Sequence, residues 1–158
     1  MARPIITQAG HIVHGLAPVA DAVSGTVRSD VFNMKNYNGC TFLIYKGVGT
    51  TGTSTITVNA CDNTTPSNRT AIPFKYRANT SSDTWGAVTV ATTAGFTTTA
   101  GSNHMYEIIV DGDELGDTGY GYVELTATEV VDSPVLGGIL WIGHDPKQCQ
   151  DVPATALS

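Results

Sequence analysis

Short stretches in which apolar and polar residues alternate recur along this chain of 158 residues. The clearest runs from Thr53 to Cys61, where Ile56, Val58 and Ala60 alternate with threonine and asparagine. A period of two is typical of a β-strand with one buried and one solvated face. The composition agrees, because the chain has 23 threonines and only 14% charged residues, against about 25% in average proteins. Since β-branched residues fit a pleated sheet and helices need more straight-chain residues, we predict an all-β fold.

Further strand candidates follow at short spacing, separated by turns rich in Gly, Asp, Asn and Ser. Cys40–Lys46 is apolar on both faces, which predicts a central, buried strand. Arg69–Arg77 contains Pro73, which cannot donate a ladder hydrogen bond and predicts an edge position or a bulge. The remaining candidates are 85–93, 96–99, 105–111, 120–129 and 135–142. Seven or eight short strands without intervening helices predict a single antiparallel β-sandwich, jelly-roll or Greek-key-like in topology.

We expect three regions: an extended N-terminal arm over residues 1–30, the β-sandwich over 31–144 and a C-terminal tail over 145–158. The first region shows neither a strand nor a helix period, yet it is rich in apolar side chains that are costly to leave in water. We therefore predict that the arm packs on a partner. The predicted contacts are Ile5, Ile6, Ile12, Val13 and Leu16.

The charges are distributed unevenly along the chain. Residues 1–77 hold seven bases and three acids, whereas residues 78–158 hold one base and eleven acids, for a total of −6. Without clustered cations, nucleic-acid binding is not expected. The two halves either interleave in the sandwich, so that the asymmetry averages out, or form unlike faces suited to docking on a partner. In the second case, we expect four bases to face an acidic partner: Lys46, Arg69, Lys75 and Arg77.

Three other features of the sequence bear on the cellular compartment of the protein. No apolar run approaches the roughly 18 residues of a membrane span, so no membrane partner is expected. The first residues lack the apolar stretch of a signal peptide, which predicts a non-secreted chain with reduced thiols. The three cysteines, Cys40, Cys61 and Cys149, are too few for a disulfide framework.

A hairpin between 40–46 and 53–61 has two possible registers. One sets Cys40 opposite Ala60 and Phe42 opposite Val58, whereas the other sets Cys40 opposite Cys61. We favour the first register because it buries Phe42, and we therefore predict no Cys40–Cys61 disulfide.

The remaining motifs give no catalytic site. Residues 111–117 hold four carboxylates, but their spacing does not match an EF-hand loop, so we expect a turn in which Leu115 fills the core. Trp85 and Trp141 are interpreted as core residues, with a sugar-binding platform as the alternative. We identify no catalytic, cofactor-binding or metal-binding residues and do not expect an enzyme.

Several segments resemble the small head proteins of tailed bacteriophages. They are residues 30–37 (DVFNMKNY), 42–49 (FLIYKGVG), 57–62 (TVNACD), 72–77 (IPFKYR), 106–111 (YEIIVD) and 120–125 (YGYVEL). The resemblance covers roughly residues 30–130 and is one of pattern. It carries over no binding residues.

Proteins of this kind are β-sandwich virion components, often decoration (cement) proteins that clamp capsomers from outside. The resemblance implies a structural protein that stabilises a phage capsid by bridging major capsid proteins, as a homo-oligomer with a trimer favoured. The expected location is the capsid exterior, after assembly in the cytoplasm of the bacterial host. The alternatives are a phage tail or baseplate component and a non-catalytic carbohydrate-binding module.

Overall fold

The computed structural model of the protein describes residues 6–81, 83–148 and 157. Its strands are β1 Gly10–Val19, β2 Thr26–Arg28, β3 Phe32–Asn33, β4 Tyr37–Gly49, β5 Thr53–Cys61, β6 Arg69–Ile72, β7 Phe74–Asn79, β8 Thr89–Ala91, β9 Phe96–Thr97, β10 His104–Asp111, β11 Tyr122–Val131 and β12 Val135–Pro146. The helices are α1, Ile6–Ala9, and α2, Gly112–Gly116. Neither of these two helices, the ones in the described part of the chain, has the length to cross a membrane.

The strands form two antiparallel sheets packed face to face. The first sheet has the order β1-β12-β4-β10-β7-β8, and the second has the order β2-β11-β5-β6, with β3 on β11 and β9 on β5. The predicted all-β sandwich is therefore confirmed. β4 lies in the interior of the first sheet, as its two apolar faces indicated, and β5 spans the residues with the clearest alternation.

The inward faces of both sheets supply one core. Phe42 and Trp141 from the first sheet and Val58 and Leu125 from the second are fully buried. Phe32 on the short strand β3 stacks on Trp141, with ring centroids 4.7 Å apart. Interdigitation of the two inward faces is the usual way in which a sandwich buries its apolar side chains.

The segment around Pro73 passes from one sheet to the other. β6, before this proline, pairs with β5 in the second sheet, whereas β7, after it, pairs with β10 in the first sheet. Pro73 therefore lies at a corner of the sandwich, where no ladder hydrogen bond is required of its nitrogen. The sequence predicted an interruption here, and the structure shows that one apparent strand is two.

The predicted boundary of the N-terminal arm is corrected. Residues 10–19 form β1, which pairs with β12 from Gly10↔His144 to Val19↔Gly137, and residues 26–28 form β2 on β11. Two side chains of β1, those of Val13 and Leu16, pack on the core. At the other end, β12 continues to Pro146, into the predicted tail. Residues 149–156 and 158 lie outside the described residues.

The predicted hairpin between 40–46 and 53–61 is wrong. β4 pairs with β10 and β12, whereas β5 pairs with β11, β6 and β9 in the opposite sheet. Residues 50–52, between the end of β4 and the start of β5, connect the two sheets instead of turning within one. Cys40 and Cys61 are nevertheless free, buried thiols, as predicted, and Cys149 lies outside the described residues.

Candidate binding surface

The outward face of the first sheet is aliphatic across β1, β12, β4 and β10. Because successive residues of a strand point to opposite sides, Trp141 lies in the core and Ile142 faces outward. The register places Ile12, Ile142, Thr41 and Ile109 in one row and His14, Leu140, Leu43 and Glu107 in the next. We call the five aliphatic members the aliphatic face: Ile12, Leu43, Ile109, Leu140 and Ile142. Each of them is partly exposed.

The part of this region on β1, β12 and β4 is also free of exposed formal charge up to residue 144 of β12. β1 contains no Asp, Glu, Lys or Arg, and neither do residues 135–144 of β12. The one charged residue of β4 is Lys46, which is buried. On β10, Glu107 introduces the first charge of these rows and is already paired with Arg77. A chain with a net charge of −6 thus leaves a contiguous area of sheet surface uncharged.

An apolar groove of about 290 Å³ lies at one end of this region, between β1 and β4. Its lining residues are His14, Leu16, Pro18, Tyr45, Gly47, Leu136, Gly137, Gly138, Ile139 and Leu140. Tyr45 and Leu136 rise from its sides and are 56% and 45% exposed. Exposed apolar side chains that converge on a concave surface are typical of a contact site for another molecule.

Two glycines keep the floor of the groove open. A Cβ atom on Gly138 would lie 3.0 Å from the carbonyl oxygen of Leu16, and one on Gly47 would lie 3.2 Å from a methyl carbon of Leu136. Side chains at these outward positions would therefore crowd the neighbouring strands and fill the groove. Their absence brings the backbone floor close to any bound chain.

Lys46 does not face a partner, and that prediction is corrected. Its side chain points between the sheets, where Nζ donates hydrogen bonds to the carbonyl oxygens of Gly52 at 2.9 Å and Thr99 at 2.8 Å. Burial lowers the pKa of this ammonium group. Lys46 ties the 47–52 and 97–99 segments together and is a structural residue.

The other three predicted bases have acidic partners within the chain. Arg69 Nε lies 2.7 Å from Glu124 Oε2 on the second sheet. On the first sheet, Lys75 Nζ lies 2.7 Å from Asp111 Oδ2, and Arg77 pairs with Glu107 while its guanidinium lies over the Trp85 ring at 5.0 Å. These bases do not form one patch, because they are distributed over both sheets.

The predicted apolar contacts fall into three groups. Ile6 on α1 is 74% exposed, and Ile12 belongs to the aliphatic face. Val13 and Leu16 pack against the core, although Leu16 also lines the groove. For Val13, the role as a partner contact is corrected, since its side chain is directed inward. Ile5 lies outside the described residues.

The acidic segment 111–117 forms the short helix α2, and Leu115 is buried in the core as predicted. An open cavity of about 580 Å³ beside it is lined by acids and also by Lys35 and Lys147. No group of three or more His, Cys, Asp or Glu side chains among the described residues is placed to hold a metal ion. The mixed charges make this cavity a solvated surface feature.

The two tryptophans do not form a common platform. Trp141 is completely buried, whereas Trp85 is partly exposed beneath the Arg77 guanidinium. A sugar-binding surface built on both rings is therefore excluded by their placement.

Sequence reasoning missed the residues that build this surface from β12. Leu136, Leu140 and Ile142 lay in a segment recognised only as a strand candidate. The available signal was the run from Val135 to His144, which is uncharged and has apolar residues at both parities. In a strand beside the sheet edge, this pattern means that the outward face is apolar as well.

No protein-family model matches the chain, and neither the curated proteins nor the solved structures contain a significant match.

Proposed function

We propose that this chain is a non-catalytic structural component of a tailed-bacteriophage virion, which decorates the capsid exterior and stabilises it by bridging major capsid proteins. The observation that carries the proposal is the aliphatic face. It gives the molecule one side suited to a protein surface, and the outward face of the second sheet is polar.

Attachment would bury the aliphatic face, and the physical gain comes from removing these side chains from water. Each buried methylene group contributes about 0.8 kcal/mol. A small domain that contacts two capsid subunits at once also resists their separation, and repetition over many sites multiplies a modest contact. Such a role requires a stable fold and a contact surface, and it does not require that covalent bonds be made or broken.

The resemblance of residues 30–130 to phage head proteins supplies the class of partner, the major capsid protein. The location follows from the same resemblance: the exterior of the capsid, reached after synthesis in the host cytoplasm. A place on the tail or baseplate would use the same surface on a different partner, so it is an outcome of the test below.

The test is co-expression of the chain with the major capsid protein of the same phage genome. Shells are purified on a density gradient, and the bound protein is quantified by mass spectrometry and located by electron microscopy. We expect it at regular positions on the outside of the shell. Ile142→Asp should abolish attachment, because it places a charge in the aliphatic face.

The matched control is Thr128→Asp, the same acidic residue introduced at an exposed position of the second sheet. This variant should attach as the wild type does. Circular dichroism and thermal melting check that both variants fold. Absence of the wild-type protein from shells, or its recovery only with tails or baseplates, would refute the capsid proposal.

A further inference from the structure

We propose that the groove of one copy binds the N-terminal segment, residues 1–6, of a neighbouring copy. The inference deepens the proposed function, on which its biological role rests. The contact itself is between copies of this chain and can be measured without a shell.

The groove is a suitable receptor for aliphatic side chains. Its volume of about 290 Å³ exceeds the ~150 Å³ of a dry cavity that accommodates benzene, so a branched side chain fits with room for its neighbour. Tyr45, Leu136, Leu140 and Pro18 offer apolar walls, and the glycine floor lets an extended backbone lie close to the sheet.

The N-terminal segment is a suitable ligand. Ile6 begins α1 and is 74% exposed, and it follows Ile5 and Pro4 in the sequence. Two consecutive isoleucines have a free-energy incentive to bury their side chains. Pro4 fixes its own φ angle and disfavours the α region for the preceding residue, and this reduced conformational freedom lowers the entropic cost of binding.

The groove of the same copy is out of reach for these isoleucines. Gly10 pairs with His144, whereas Gly138 in the groove lies six residues before His144 in β12. Six residues of a strand correspond to about 20 Å at ~3.4 Å per residue. The four residues of α1 span only about 6 Å at ~1.5 Å each. Ile6 and the groove therefore lie at opposite ends of the β1–β12 pair, and another copy has to supply the segment.

A segment that binds a different part of the neighbouring surface makes a head-to-tail contact, which generates a closed ring when the rotation between copies closes and an open filament when it does not. The expected trimer is one such ring. Copies with a net charge of −6 repel one another, but this contact joins a groove without formally charged lining residues to a segment whose single charged side chain is Arg3.

The experiment is sedimentation velocity of the full chain over a range of concentrations, without any capsid protein. We expect a concentration-dependent closed oligomer. Deletion of residues 1–6 and the separate substitution Tyr45→Asp should each weaken self-association about tenfold or more, which is about 1.4 kcal/mol. Val90→Asp, at a 69% exposed position on the opposite edge strand β8, is the matched control and should associate as the wild type does.

A cross-link identifies the two contact sites directly. In a Cys149→Ser background, a protein with Ile6→Cys is mixed with one carrying Leu136→Cys and then oxidised. We expect a disulfide-linked dimer of the two different variants, and no comparable product when Val90→Cys replaces Leu136→Cys. This readout remains informative if the deletion impairs folding.

A wild-type chain that remains monomeric, an oligomer that survives both the deletion and Tyr45→Asp, or absence of the Ile6–Leu136 cross-link would each overturn the inference. Shell attachment separates it from the proposed function. If the groove contact fails while shells still recruit the protein, only the inference falls. If the linked oligomer forms but does not attach to shells, only the proposed function falls.

Discussion

The outward faces of the two sheets meet water in opposite ways. On the second sheet, polar side chains satisfy one another: Thr55 Oγ1 lies 3.2 Å from Thr97 Oγ1, and Asn59 Nδ2 donates to Thr126 Oγ1 at 3.0 Å. On the first sheet, the equivalent positions of β1, β12 and β4 carry the aliphatic face. An antiparallel sandwich needs only its inward faces to be apolar. The fold therefore does not require the outward aliphatic side chains of the first sheet.

Threonine and isoleucine are both β-branched and both fit a strand. Folding alone therefore does not distinguish an outward isoleucine on β12 from an outward threonine on β11. The two outward faces differ in the free-energy cost of exposure to water, which is higher for the aliphatic face. This difference is expected of a molecule that binds a partner with one side and leaves the other side in solvent.

The largest effect is expected at Trp141, the inward neighbour of Ile142. Trp141→Ala should lower the free energy of unfolding by about 3–5 kcal/mol, because it removes the ring that stacks on Phe32 and leaves a cavity between the sheets. Urea unfolding followed by circular dichroism measures this loss. A decrease of less than about 1 kcal/mol would show that the two sheets do not share this core.

The second sheet should depend on its ion pair. Arg69→Met leaves the nearly fully buried Glu124 with two weaker contacts to its Oε2, Arg28 Nη1 at 4.0 Å and the Cys61 thiol at 3.9 Å. We expect a loss of about 2 kcal/mol, below the usual cost of an unpaired buried charge because Arg69 is itself partly exposed. The double variant with Glu124→Gln should recover much of it in urea unfolding. If Arg69→Met and the double variant have the same free energy of unfolding, the proposed role of the ion pair is contradicted.

A thiol in each sheet gives a pH-dependent comparison. Burial raises the pKa of Cys40 to about 12, and burial with the nearby Glu124 raises the pKa of Cys61 to about 12, against an ordinary value of 9.0. Between pH 9 and 12 the unfolded thiols lose protons that the folded thiols keep. The free energy of unfolding should therefore fall as pH rises through this window, by about 1.4 kcal/mol per pH unit for each thiol.

Urea titrations at pH 9, 10 and 11 measure this slope, and Cys40→Ala and Cys61→Ala should each reduce it. At pH 8, a water-soluble maleimide should label neither thiol in the folded protein. After denaturation without reductant, it should label all three cysteines. An unchanged slope in either variant, or rapid labelling of the folded protein, would show that the thiols are accessible.

The smallest effect on stability is expected at the aliphatic face itself. Ile142→Thr replaces one β-branched residue by another at a partly exposed position, so the free energy of unfolding should change by less than about 1 kcal/mol. The same substitution should still weaken attachment to shells. A loss as large as that of Trp141→Ala would mean that Ile142 belongs to the core.

The sequence located most of the strands after residue 36, but it did not predict β1–β3 or the strand partners. Alternation in Thr53–Cys61 located β5 to the residue, because the period of two is a local property of the chain. The pairing of β4 is not local. A hairpin was the simplest solution for two consecutive strands, but both faces of β4 are largely apolar, so it fits between β12 and β10 far along the chain.

The candidate surface was predictable only in part. Apolar content in residues 1–30 indicated a contact region, and Ile12 does face outward. The bulges of β1 at His14/Leu16 and Leu16/Val19 break its alternation, which explains why no strand period was visible there. The contribution of β12 depends on its position beside β1, and this position follows from the topology of the whole sheet.

Hydroxyl-radical footprinting tests most directly whether the two outward faces have different roles. Oxidation is compared, by mass spectrometry, between the isolated protein and the protein attached to shells. Met105 reports on the first sheet, and Tyr122 reports on the second. We predict strong protection of Met105 on attachment and unchanged oxidation of Tyr122. Protection of Tyr122 with continued oxidation of Met105 would contradict the account.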